Sequence, residues 1–165
     1  MLNKSKVALL GAFAAAAMVS TGANAATQSA TAEVDILAPV VLSPVTTLDL
    51  GVVAVGAVAG TVTLPNSSDT RTCSASLTCV GTAARGSFQV TSATNGYVIA
   101  ITVPASTSLT GAGAPMALTL SPSAASITFN SAALQTIYVG GTLSVGASQT
   151  AGTYTGTYNV SADYQ

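Results

Sequence analysis

The chain has 165 residues, of which 49% are apolar and only 5% are charged. That length supports one domain with a real core and hardly two. Beyond Lys4 and Lys6 at the N-terminus only two arginines occur, too few to neutralise a row of phosphates, which argues against nucleic acid, and the lack of any histidine removes the usual general base and the commonest metal ligand.

At the N-terminus, Lys4 and Lys6 precede an apolar run from Val7 to Val19, and Ala23-Asn24-Ala25 has the small-x-small form of a cleavage site. The run is too short to span a membrane. The pattern predicts a signal peptide over residues 1–25, a single exported domain over residues 26–165, and no membrane insertion of the mature chain. The expected location is the periplasm, the cell surface or the extracellular space. The remaining domain carries Arg71 and Arg85 against Glu33, Asp35, Asp49, Asp69 and Asp163, so two minus five gives a formal charge of −3. Such low charge does not imply disorder when the apolar residues are abundant and patterned.

From Ala30 to Leu42, Ala30, Ala32, Val34, Ile36, Ala38, Val40 and Leu42 share one parity, opposed at first by Thr31, Glu33 and Asp35. Side chains alternate across a strand, so this predicts an amphipathic strand with Pro39 at an edge or bend and Pro44 as its end. Glu33 and Asp35 read as a solvated polar face, since calcium wants six to eight oxygen ligands. Thr47–Val55 and Gly60–Leu64 are the next strands, followed by a Pro65–Asp69 loop. Asp49 and Asp69 lie beside turns, where carboxylates accept backbone hydrogen bonds. Cys73 and Cys79 are the only cysteines, and in an exported chain the even count predicts a disulfide around a short loop. The spacing is not that of a redox pair.

Gly86–Thr91 places Phe88 and Val90 on one side. Asn95-Gly96 is a hairpin signal leading into Tyr97, Ile99, Ile101 and Val103. Ser106–Pro115 reads mainly as loop. Met116, Leu118 and Leu120 make a strand ended by Pro122, and Ile127 with Phe129 makes another. Leu134–Val145 is a strand with a bulge or bend at Gly140-Gly141. In the last stretch Tyr154, Gly156, Tyr158, Val160, Ala162 and Tyr164 alternate with Thr153, Thr155, Thr157, Asn159, Ser161 and Asp163, which predicts a half-buried strand over twelve residues. Their shared parity puts the tyrosines on a core face and not on a sugar-stacking platform. Eight to ten short strands without a helical period predict an all-β, antiparallel sandwich.

The two terminal segments resemble those of chaperone–usher pilus subunits. Tyr164 is penultimate, Gly152 is the fourteenth residue counted back from Gln165, and the alternating Ala30–Leu42 follows the signal peptide. The phrases L-D-L-G-V-V-A-V-G (Leu48–Gly56), G-T-V-T-L (Gly60–Leu64), R-T-C-S (Arg71–Ser74), V-G-G-T-L-S-V-G (Val139–Gly146) and A-G-T-Y-T-G-T-Y (Ala151–Tyr158) resemble a bacterial secreted family catalogued as domain of unknown function 4402, related to the pilins. The close spacing of Cys73 and Cys79 departs from the long disulfide loop common in pilins. The resemblance implies an immunoglobulin-like fold completed by a strand lent from outside, with residues 26–42 as a possible donor strand.

On that reading Val34, Ile36, Val40 and Leu42 form the assembly strand, and Gly152, Tyr154, Tyr158, Val160 and Tyr164 mark the C-terminal strand of the acceptor. Full burial of the four assembly side chains is worth roughly 6–12 kcal/mol, at about 1.5–3 each. That compares with a domain's whole net stability of about 5–15 kcal/mol. The expected partners are other copies of the chain or related subunits, with a periplasmic chaperone and usher. No catalytic residues, cofactor or metal site are expected, since no G-x-S-x-G elbow occurs and a triad would lack its base. The alternative is a self-completed β-sandwich acting as a monomeric binding or coat module.

Overall fold

The computed structural model describes residues 25–165, so the signal-peptide expectation lies outside the described residues apart from Ala25. Asp35–Gln165 form one compact unit. Among the described residues twelve strands run in order: β1 (Val41–Thr46), β2 (Val52–Ala54), β3 (Gly60–Leu64), β4 (Thr72–Cys73), β5 (Thr78–Val80), β6 (Gly86–Ser92), β7 (Val98–Thr102), β8 (Ser106–Leu109), β9 (Met116–Pro122), β10 (Ser126–Thr128), β11 (Gln135–Val145) and β12 (Ser161–Tyr164). All strand pairings are antiparallel, and no helix occurs among the described residues. The chain is all-β.

The long strand β11 organises the largest sheet. Gln135–Val139 pair with β6, Gly141–Val145 pair with β3, and Val139–Leu143 pair with β9. Because Val139 has partners in both β6 and β9, while Gly141 has partners in both β3 and β9, β6 and β3 follow one another along one edge of β11. The handover falls at Gly140. A Cβ there would meet the carbonyl of Leu64 and the amide of Asn66. The glycine pair thus admits a close backbone approach, and the β9 register runs through it unshifted, in place of the expected bulge.

Burial follows the period-2 alternation of β9, where Met116, Leu118 and Leu120 are buried between exposed neighbours. They join Val62, Leu64, Val139, Leu143 and Val145 in one core cluster. A second cluster joins Val90 of β6 and Ile137 of β11 to Ile99 and Ile101 of β7. The three-stranded sheet β10-β7-β12 is therefore packed against the β6 end of the large sheet. A short ladder of β2 and β5 stands apart. The Cys73–Cys79 disulfide links β4 to β5, as the cysteine count predicts.

Several expectations are corrected. Asn95-Gly96 makes a turn, with the Tyr97 amide donating to Thr94, but it joins two different sheets instead of a hairpin. Only Gly96 of the pair has positive φ, at 83°, as in a type II turn. A hairpin-forming type I′ turn needs positive φ at both positions. Ser106–Leu109, expected as loop, is strand β8 paired with β9, its β-branched Thr107 suiting a pleated surface.

The first strand begins at Val41, and residues 25–40 carry none, in contrast to the expected strand Ala30–Leu42. It passes through Pro44 instead of ending there. Among the described residues β1 pairs with β6 alone, so a residue without N–H is tolerated on its other edge, beside a register shift between Pro44 and Thr46. The last stretch keeps its alternating burial but not a continuous ladder. It is bridged to Thr110 at Thr155 and becomes regular strand only at Ser161.

Candidate functional site

The break in that last ladder creates the site. The amide and carbonyl of Thr155 both bond to Thr110, beside β8 in the large sheet. Ser161–Tyr164 pair instead with β7 in the small sheet. Between them Gly156–Val160 passes from one sheet to the other, and no backbone–backbone hydrogen bond is described for it. One backbone group is held: the Thr107 hydroxyl donates to the Thr157 carbonyl at 2.7 Å. Gly156 is required where it stands, because a Cβ would meet the Ser108 carbonyl and the Leu109 side chain.

An open groove lies along each flank of this segment. The first, of about 620 Å³, has Pro44–Leu48 as its other wall, with Phe88, Tyr158 and Val160 among its lining residues. That wall continues the open edge of β1. The second, of about 430 Å³, faces Thr102, Pro104, Ser106 and Thr107 and is rich in hydroxyls. Neither lining includes a charged residue. Both grooves are lined mainly by apolar surface, and on the β1 side Leu48, Phe88 and Tyr158 pack on the first core cluster and Val160 on the second. The Tyr158 ring meets Phe88 edge-on, with centroids 6.1 Å apart, and burial pushes its phenol above the ordinary value. Two unpaired backbone edges flanking an apolar floor can accept an extended segment in chemical terms, by strand addition.

The N-terminal residues expected to supply such a segment divide into two sets. Val40 and Leu42 are half-buried and pack on the second cluster of their own domain. Val34 and Ile36 are 79% and 90% exposed. The division falls at Ala38, whose amide donates to Thr94 Oγ1 at 2.7 Å and whose carbonyl accepts from Tyr164 Oη at 2.6 Å. Tyr164 Oη in turn accepts from the Thr94 amide at 2.6 Å, which closes the arrangement.

The other C-terminal residues are spread over both cores. Tyr154 packs on the first cluster, donates its hydroxyl to the Thr150 carbonyl and accepts from Gln149 Nε2. Gly152 lies against Ala112. Pro44–Leu48 and Phe88, which line the groove, were not singled out as site residues from the sequence. Pro44 was the available signal, since a proline within a strand marks an open edge. Thr94 and Ala38 gave none, because their contacts are between backbone and hydroxyl groups far apart in sequence.

The two arginines are engaged away from the groove. Arg71 donates to the carbonyls of Leu50, Val80, Gly81 and Thr82. Arg85 pairs with Asp69 at 3.1 Å and stacks over the Tyr138 ring at 4.0 Å. The Arg85 amide, then its side chain, hold the Asp69 carboxyl below the usual range. Asp49 accepts from the Gly51 amide, as its turn position suggests. Among the described residues no group of three or more His, Cys, Asp or Glu is placed to hold a metal.

No curated protein and no solved structure matches this sequence. A family model described as a domain of unknown function (DUF4402) matches residues 40–164, most of the chain and nearly all of the compact unit. On that match, the chain belongs to the DUF4402 family.

Proposed function

We propose that the chain is an exported, non-enzymatic structural subunit with an immunoglobulin-like, pilin-related fold, assembling into a surface fibre by β-strand complementation. The observation that carries this reading is the unpaired segment Gly156–Val160 facing the open edge of β1 across an apolar groove. The exposed Val34 and Ile36 supply an apolar stripe of matching period, with Glu33 and Asp35 on the opposite parity. The partners on this reading are other copies or related subunits, with a periplasmic chaperone and usher serving assembly.

The energetics refine the expected strength. Val40 and Leu42 already pack on their own domain, so Val34 and Ile36 alone remain to be buried. That leaves roughly 3–6 kcal/mol of the roughly 6–12 available from four side chains. Association itself costs about 4–15 kcal/mol. Burial of these two side chains alone therefore does not cover the cost of association. The balance has to come from backbone hydrogen bonds along the two open edges, which makes complementation of this kind weak and dependent on concentration. Light scattering on the periplasmically expressed protein across a concentration series tests it: the reading requires a mass that rises in multiples of the subunit.

A second reading, a self-completed monomeric module, is favoured by the packing of Val40 and Leu42 and by the two hydrogen bonds on Ala38. It requires a single-subunit mass at every concentration.

A further inference from the structure

We infer that Arg71 is the positioning residue of the Cys73–Cys79 disulfide: it closes that loop in the folded chain before the sulfurs are joined, so that folding precedes oxidation and survives reduction. This holds whether the chain assembles or stands alone.

The loop is closed twice. The disulfide joins Cys73 to Cys79 across a sequence separation of 6. Two residues before Cys73, the Arg71 guanidinium donates to the carbonyls of Val80, Gly81 and Thr82, which directly follow Cys79, and to that of Leu50. The same two chain ends are thus brought together by hydrogen bonds that involve no sulfur. A charged donor makes the stronger kind of hydrogen bond, and a planar fork can serve several acceptors at once. The guanidinium has room because residue 51 is glycine. A Cβ there would meet Arg71 and the Thr82 carbonyl, and the φ of 71° is one that glycine adopts freely. Gly51 and Arg71 belong to two of the phrases that carry the family resemblance, Leu48–Gly56 and Arg71–Ser74.

The loop between the cysteines is also anchored without the bridge. The Ser74 amide donates to the Thr61 carbonyl and the Thr61 amide to Ser74 Oγ, both at 3.0 Å. Ser76 Oγ donates to the Ala59 carbonyl at 3.0 Å, and Leu77 is buried in the first core cluster. Cys73 pairs with Val62 in β3, and Cys79 pairs with Val53 in β2. Each cysteine is therefore placed by its own strand partner, and both pack on the first cluster.

Oxidation then proceeds by thiol–disulfide exchange with a small disulfide, for which oxidised glutathione is the probe. The thiolate of one cysteine attacks a glutathione sulfur, the glutathione S–S bond breaks, and one reduced glutathione leaves. The thiolate of the other attacks the mixed disulfide, the Cys73–Cys79 bond forms, and the second reduced glutathione leaves. Two electrons pass to the oxidant, and the two thiol protons end on the released glutathiones. The second attack is intramolecular, so its equilibrium is set by the effective concentration of one cysteine about the other, which Arg71 raises. By linkage, folding favours the bond by the same factor as the bond favours the fold. A bridge worth about 2 kcal/mol corresponds to about thirtyfold, at about 1.4 kcal/mol per tenfold.

The test equilibrates the periplasmically expressed protein with mixtures of reduced and oxidised glutathione, in buffer and in urea. The bridged fraction is read by thiol alkylation and mass spectrometry. In buffer the reduced chain should keep slow amide exchange in β6, β9 and β11, with an effective concentration about thirtyfold above that in urea. Arg71→Met should lower the buffer value about fivefold, near the restraint of one ordinary hydrogen bond, and leave the urea value unchanged. Arg71→Lys should fall between the two. Tyr164→Phe, which weakens the fold at the second core, should leave the effective concentration where it is, so that a general loss of stability does not imitate the effect. A reduced chain whose β6, β9 and β11 amides exchange in buffer as fast as in urea overturns the inference, because folding then waits for the bond. An Arg71→Met protein with the unmodified chain's effective concentration overturns it equally, because the bond then forms without the guanidinium. Where Arg71→Met does not fold, Arg71→Lys carries the same comparison, and an unchanged value contradicts the positioning role.

Discussion

The hydroxyl of Tyr164 donates to the carbonyl of Ala38 at 2.6 Å, joining residues 126 positions apart. The same oxygen accepts from Thr94, so one side chain fixes the start of the retained N-terminal segment against the turn between two sheets. Tyr164→Phe keeps the edge-on contact with Tyr97, at 5.9 Å, but leaves the Thr94 amide without its acceptor. The expected cost is about 1–2 kcal/mol, read as a lower urea midpoint with an unchanged slope.

Arg71 stabilises by a different means. Its guanidinium serves four carbonyls with no carboxylate beside it, and so gathers the chain between Leu50 and Thr82. Arg71→Met leaves those carbonyls unserved and should cost about 1–3 kcal/mol. Arg71→Lys should recover only part of that in the same denaturation assay, because a point ammonium cannot reproduce the planar fork.

The Cys73–Cys79 disulfide closes a loop with a sequence separation of 6. A loop that short restrains the unfolded chain modestly. Cys73→Ser with Cys79→Ser should cost about 2 kcal/mol by the chain-entropy relation. Hydrogen exchange should show the loosening concentrated in the β2–β5 ladder, which the bridge ties to β4.

Tyr158 sets an alkaline limit. Burial raises its pKa in the folded state above 10.0, so its contribution is whole below that value and is lost as the pH rises through the raised one. Urea midpoints should fall above about pH 10, and Tyr158→Phe should flatten that fall. Asp69 acts in the opposite direction. Its carboxyl is lowered from 3.8, so its contribution is present above that value and is lost as the pH falls through the lowered one. Asp69→Asn should accordingly flatten the acid limb.

Much of the strand pattern was legible because burial on one face imposes a period of two. Met116, Leu118 and Leu120 show it, as do Ile99 and Ile101 and the terminal tyrosines. Connectivity was less legible. Asn95-Gly96 marked a turn correctly, but the sign of φ at Asn95, which decides between a hairpin and a change of sheet, depends on what the flanking strands pack against. The groove was half legible. Alternation identified the C-terminal segment, yet it gives faces and not edges, so the unpaired backbone at Gly156–Val160 left no trace in the pattern. Alternation likewise ran Ala30–Leu42 together as one strand. The hydrogen bonds on Ala38 divide it, and neither comes from a residue near it in sequence.

The most direct measurement is the light-scattering mass of the periplasmically expressed protein beside its Val34→Asp/Ile36→Asp variant, both across a concentration series. Assembly through the exposed arm predicts a mass that climbs with concentration for the first and a constant single-subunit mass for the second. Equal masses for the two proteins, whether monomeric or associated, would contradict strand donation by this segment.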